Sequence, residues 1–310
     1  MAGVRARSLP ARWRPLAGVL LLAAVVWRLG PDELLAASTG MSLVLLLLAT
    51  LLATVPPLCY AWRWQRLLAV ADAPVSLPEA VRVTVASSAA NYLVPAFGWA
   101  PAKVLATRRW LGIGVRRTLP TLVVEQALDL GALLGLAVVG LAGSPLERLR
   151  SASAPLVRPL PLLALGFTVA FVLLALVLSF SERARRWGRD RGVVGLRAVR
   201  DFARDPAVWL ATLGRWGAEL ALVALLVEGA GARLGWRDLC VLLSAPSLVG
   251  LLSPIPGGLG VREAAGVLLA RWAGWDPVTI GAALAWQRIV ALAGLGLVGL
   301  ASDMVRRGRT

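Results

Sequence analysis

The sequence predicts an all-α polytopic membrane protein, with six spanning helices and two hairpins broken by proline and glycine. Three observations point there. Hydrophobic residues make up 58% of the 310-residue chain, and its mean hydropathy is +0.74, more apolar than an ordinary soluble domain. Several apolar segments approach or meet the roughly 20 residues that a bilayer-crossing helix needs. The net charge of +16 resides mainly between those segments, where the loops of a membrane protein carry it. That placement argues against nucleic acid as a partner.

Taken in order, the first apolar segment is Leu16 to Gly30, preceded by Arg5, Arg7, Arg12 and Arg14. It imitates a signal peptide, with a weak cleavage-like Ala36-Ala37-Ser38 after it. Because many further spans need insertion anyway, it is read as a retained first helix, short enough that Trp13, Trp27 and Arg28 sit at the interfaces. Five longer spans are expected at Met41 to Ala61, Leu119 to Leu141, Pro159 to Phe180, Ala207 to Val227 and Val278 to Ala301. Val81 to Trp110 and Asp238 to Trp272 each hold two short helical pieces around a Pro/Gly break. Whether re-entrant hairpins or pairs of short spans, they return the chain to the side it entered from.

Basic residues then set the orientation. With the N-terminus inside, the cytoplasmic side collects most of the 33 basic residues, while Arg148, Arg150, Arg158, Arg233, Arg237 and Arg271 fall outside. Both termini are therefore expected to be cytoplasmic, in a multi-pass protein of the cell membrane. In this topology residues 1–150 and 155–310 of the single membrane domain read as the same series of elements in opposite orientation. Inverted repeats with interrupted segments at matching positions place a transport site where the breaks meet. Pro95-Ala-Phe-Gly98 and Pro254-Ile-Pro-Gly257 are the paired breaks. The longest hydrophilic stretch, Ser181 to Asp205, reads either as a basic interfacial helix or as a solvated connector that sets topology.

The break at Leu251 to Glu263 is the most informative stretch. Pro254 and Pro256 lack amide donors, and Gly257, Gly258 and Gly260 favour turns and close contacts. In hydrocarbon such a break persists only against other protein or a watery cavity. The helix that restarts at Gly260 to Glu263 aims its positive end at the break, an arrangement suited to an anionic ligand. Arg262 adds a guanidinium able to grip phosphate in a forked geometry.

The run Pro256-Gly-Gly-Leu-Gly-Val-Arg-Glu263 resembles the hallmark of the flippase-like membrane family that includes the transmembrane part of lysylphosphatidylglycerol synthases. A second pattern of that family is present in altered form as Asn91, Pro95, Gly98-Trp99, Glu125-Gln126 and Asp129, with Trp99 and Gln126 where the family has Glu and Arg. Lys103, the single lysine, lies one position out of register with the basic residue the family places nearby. The resemblance covers nearly the whole chain. It implies a substrate site at Asn91, Pro95, Gly98, Lys103, Pro254, Pro256, Gly257, Gly258, Gly260, Arg262 and Glu263.

Ionisable groups inside a membrane are expensive and therefore candidates for coupling or binding. Arg215 and Glu219, four apart on one helix face, are expected to pair with each other. Glu125 and Asp129 share a face too, and Arg288, in the helix that the repeat matches to theirs, could complete a cross-repeat cluster. No histidine is present, which excludes histidine catalysis and Cys/His zinc sites; Cys59 and Cys240 read as structural. No metal, no cofactor and no nucleotide-binding phosphate loop is expected.

Two functions compete on this evidence. The first is a flippase- or scramblase-like transporter, not an enzyme, that moves a phospholipid or lipid-linked headgroup of anionic or zwitterionic character. The second is a membrane subunit or partner of a separately encoded enzyme that modifies lipid-linked aminoacyl or sugar groups.

Overall fold

In the computed structural model, residues 27, 31–93, 98–142, 202, 204–253 and 255–307 are described. They contain no strand. Nearly all of Leu16 to Gly30, all of Pro159 to Phe180 and most of Ser181 to Asp205 lie outside them, as do Pro95 and Pro254.

A short helix α1 (Pro31–Thr39) leads into α2 (Leu43–Leu52) and α3 (Val55–Val70). The expected span from Met41 to Ala61 is thus divided near Thr54, because Pro56 and Pro57 supply no amides to the carbonyls one turn earlier. It also continues to Val70, beyond the expected end. Then come α4 (Leu77–Leu93), α5 (Trp99–Leu111) and α6 (Val115–Leu141). The later part of the chain comprises α7 (Pro206–Gly229), α8 (Trp236–Leu252), a 3-10 turn at Pro256–Gly258, α9 (Val261–Ala273) and α10 (Pro277–Arg307).

Among the described residues, four helical stretches are long and apolar enough to cross a membrane: Leu43–Val70, Val115–Leu141, Pro206–Gly229 and Pro277–Val305. The shortest has 24 residues, about 36 Å at 1.5 Å per residue against a hydrocarbon core of about 30 Å. By contrast α5 and α9 have 13 residues each, about 20 Å long. They fold back against α4 and α8 respectively.

Packing is apolar outward as well as inward. Trp216, Leu222 and Leu226 of α7 meet Leu242 and Leu243 of α8 and Ile280 and Leu284 of α10 in the main core. A second cluster joins Ala61, Trp64 and Leu68 of α3 to Ala80 and Val83 of α4. Leu47, Leu51, Leu213 and Leu300 are exposed, whereas Arg63, Lys103 and Glu125 are fully buried at 0%. This distribution suits hydrocarbon surroundings, where exposed leucine is favourable and charge must face protein.

Candidate functional site

The second break is a built turn. Gly257, Gly258 and Gly260 have φ of +55°, +61° and +74°, values that side chains with a Cβ rarely adopt. A Cβ on Gly258 would lie 2.9 Å from the Cα of Gly250, so the turn is pressed against α8. Glu263 fastens its far end: one carboxylate oxygen accepts from the Gly260 amide at 2.8 Å and the other from Arg288 at 2.7 Å. Arg288 also reaches the Gly257 carbonyl at 3.4 Å. The helix therefore begins where the sequence places it, with Gly260 as its cap and Pro256 buried behind it.

This turn packs against α4, the helix that precedes the first break. Between them lies a cavity of about 300 Å³, at the small end for ligand sites. Its wall includes Asn91 and Trp99 from one hairpin and Gly257 and Arg262 from the other. Gly98 is buried at the start of α5. The walls also carry Asp129, Arg215, Glu219, Glu263, Gln287 and Arg288, so charge of both signs meets in one space.

The pairing of those charges differs from expectation. Arg215 does not pair with Glu219; it donates to Asp129, which also lines the cavity. Glu219 instead accepts from the Gln287 amide at 3.0 Å, whose oxygen accepts from Arg262 at 2.9 Å. Nor do Glu125, Asp129 and Arg288 form a cluster. Glu125 is held by both of its oxygens on Lys103, at 2.8 and 3.0 Å, Asp129 by Arg63 and Arg215, and Arg288 by Glu263. Each acid has its own cationic partners, brought to it by tertiary packing. Lys103 accordingly lies buried behind the cavity rather than on its wall.

Arg63 is a member of this charge cluster that no helical spacing singles out. It is fully buried and donates to Asp129 at 2.8 Å and to Thr212 at 3.3 Å. The available signal was the apolar Leu67, Leu68 and Val70 beyond it, which carry α3 onward. Trp216 adds a third donor to Asp129, at 3.3 Å. Three cations surround the Tyr60 ring: Lys103 at 4.3 Å, Arg215 at 4.5 Å and Arg63 at 5.1 Å from its centre. Such contacts strengthen when desolvated, so Tyr60 links the buried charge cluster to the cavity it lines.

An all-helical membrane fold with a charged cavity is what these elements define. The family model described as "Lysylphosphatidylglycerol synthase TM region" matches residues 15–299 of the chain, and the protein belongs to that family. No curated protein matches the chain. Among the described residues, no group of three or more His, Cys, Asp or Glu side chains is arranged to hold a metal ion.

Proposed function

We propose that the protein is a flippase- or scramblase-like transporter that carries the headgroup of a phospholipid or lipid-linked molecule across the membrane interior. The observation that carries this reading is the cavity itself: Asn91 of one broken hairpin, Arg262 and Glu263 of the other and charged groups of α6, α7 and α10 line a space inside a protein whose outer surface is leucine-rich. A headgroup in that space would exchange water for Arg262 and its neighbours while the tails stay in hydrocarbon. Family membership supports a lipid-related role.

The proposal includes six spans, two re-entrant hairpins and an inverted repeat of residues 1–150 and 155–310, in the cell membrane with both termini cytoplasmic. Three correspondences support the repeat. Helices α4 and α8 both have 17 residues, and α5 and α9 both have 13. Helix α6 packs on α8, and its proposed counterpart α10 packs on α4. Lys103 to Glu125 joins α5 to α6, while Glu263 to Arg288 joins α9 to α10 with the signs reversed.

The test is dithionite quenching of acyl-labelled fluorescent phospholipids in proteoliposomes, with and without a proton gradient. A charge-assisted contact contributes about 1.5–3 kcal/mol, so Arg262→Ala should slow movement by about ten-fold or more if the contact strengthens at the barrier. Arg262→Lys should restore only part of the rate, because lysine keeps the charge and loses the fork. Rates no faster than protein-free vesicles for every lipid would shift the weight to the partner of a lipid-modifying enzyme.

A further inference from the structure

We propose that the loop end of the α5–α6 hairpin holds an anionic phospholipid, outside the interior cavity, with its phosphate at Arg82 and Arg116 and one acyl chain along Leu119 and Val123. The site is a second cleft, of about 830 Å³, between the loop that joins α3 to α4 and the loop that joins α5 to α6. Among the described residues, it shares no lining residue with the interior cavity. Both loops are anchored. Val75 of the first and Leu111 and Ile113 of the second pack on the core cluster that contains Trp64 and Leu68, and the Arg117 guanidinium donates to the Asp72 carbonyl at 3.1 Å. The cleft is therefore formed before any ligand arrives.

Charge at its rim is unbalanced. Arg82 lies over the Trp110 ring, 4.2 Å from its centre, and Trp110 lines the cleft with Arg116 and Arg117. Stacking uses the flat face of the guanidinium and leaves its in-plane N–H groups for an anion. Among the described residues, the side chains of Arg108, Arg109 and Arg116 make no hydrogen bond or ion pair, and all three are exposed. Two acids line the cleft, Asp72 and Glu79, and the Glu79 carboxylate already accepts from the Ser76 amide at 2.8 Å and the Ser76 hydroxyl at 2.7 Å. Five arginines against two acids leave this end of the hairpin positive.

What lies below the charge decides the ligand. Arg116, Leu119 and Val123 fall at i, i+3 and i+7 of α6 and share one face. Leu119 and Val123 are 53% and 64% exposed. On α5 the exposed Leu105 stands one turn before Arg109. Arg116 and Val123 are about 10 Å apart along the helix axis at 1.5 Å per residue, so a phosphate held by the arginine sets an acyl chain on the apolar stripe. A soluble acidic partner or a free phosphate would use the arginines and gain nothing from that stripe. In the orientation proposed above this end faces the cytoplasm, whose leaflet carries anionic lipid.

The test locates the lipid by photocrosslinking. The full chain in detergent is incubated with phosphatidylglycerol that carries a diazirine on one acyl chain, illuminated and digested, and the labelled peptides are identified by mass spectrometry. Label should appear within residues 119–123, and unlabelled phosphatidylglycerol should displace it at a concentration about ten-fold lower than phosphatidylcholine. Replacing both arginines, Arg82→Gln with Arg116→Gln, should cut the label about ten-fold at subsaturating lipid. The charge-keeping pair, Arg82→Lys with Arg116→Lys, should retain most of it, and Arg204→Gln, which removes another exposed charge, should retain all of it. Arg262→Ala should leave the label unchanged, because the interior cavity is a separate site. No label at 119–123, equal displacement by the two lipids, or label that survives the double Gln replacement would overturn the inference. Displacement by inorganic phosphate as effective as by phosphatidylglycerol would overturn it too, by reducing the cleft to a phosphate site, and loss of label in Arg262→Ala would assign the lipid to the cavity instead. No arm of this experiment reads lipid movement, so its outcome is independent of whether the protein transports.

Discussion

Lys103 and Glu125 form a two-pronged ion pair, 2.8 and 3.0 Å, in which neither side chain has any exposed surface. The ammonium also lies 4.3 Å from the Tyr60 ring centre and 4.6 Å from that of Trp64. Removing one member strands the other charge in a site that offers it no water. Lys103→Met and Glu125→Gln should each destabilise the protein by about 3–5 kcal/mol, whereas a double replacement with Met and Leu should recover most of the loss. Thermal unfolding in detergent measures it. Single variants as stable as the wild type would show that the pair is dispensable.

The Pro/Gly turn should tolerate side chains far less well than an ordinary helix position. Gly258→Ala places a Cβ 2.9 Å from the Gly250 Cα and imposes a left-handed backbone that costs about 1–2 kcal/mol for any residue with a side chain. Gly258→Leu should therefore impair lipid movement strongly at matched expression. Gly296→Leu, where a Cβ meets nothing within 4 Å, should not. Gly294 is unsuitable as a control, because its Cβ would lie 2.7 Å from the Ala53 backbone. Equal losses at 258 and 296 would reduce the turn to one helix contact among many.

Orientation can be read with an impermeant thiol reagent on intact cells. The native cysteines serve poorly, since Cys240 is 2% exposed and Cys59 is only partly accessible. With both replaced by alanine, Arg233→Cys should be labelled from outside and Arg116→Cys only after permeabilisation; both positions are exposed. The reverse pattern would invert the topology proposed from the basic residues.

Asp276 begins α10. Its side chain accepts from the amides of Val278 at 3.3 Å and Thr279 at 3.0 Å and from the Thr279 hydroxyl. Burial acts to raise its carboxyl pKa, but hydrogen bonds from the Thr279 hydroxyl and from the two amides outweigh it and hold the pKa below the usual value. A carboxyl depressed in this way stabilises the fold above its unfolded pKa, about 3.9. That contribution is lost as the pH falls through the lower folded value. Asp276→Ala should cost about 1 kcal/mol at neutral pH, in the usual range for a helix cap. The difference from wild type should shrink toward low pH, as unfolding curves at several pH values would record. A difference that stays constant would show that the charge contributes nothing.

Much of the architecture was determined by the sequence itself. Helices α6, α7 and α10 begin and end within a few residues of the apolar runs that predict them, apart from the extra turn at the end of α10. Both pairs of short helices lie where Pro and Gly interrupt such runs. These features are local: apolar length decides whether a helix can span, and a missing amide or a left-handed glycine decides where it stops. Asn91, Gly257, Gly258, Arg262 and Glu263, candidates on the sequence alone, line one cavity.

Only the tertiary structure decided which charges meet. Arg63 and Asp129 are 66 residues apart, Arg215 and Asp129 86, and Glu219 and Gln287 68. Spacing along one helix, the only ruler the sequence provides, assigns Arg215 to Glu219 and sets Glu125 against Asp129. In a buried site an ion takes the partner that packing brings to it, because desolvation makes any unmatched charge costly. The side chains of α3, α5 and α7 that converge on Glu125 and Asp129 come together only when those helices pack, and no pattern within any one of them predicts that meeting.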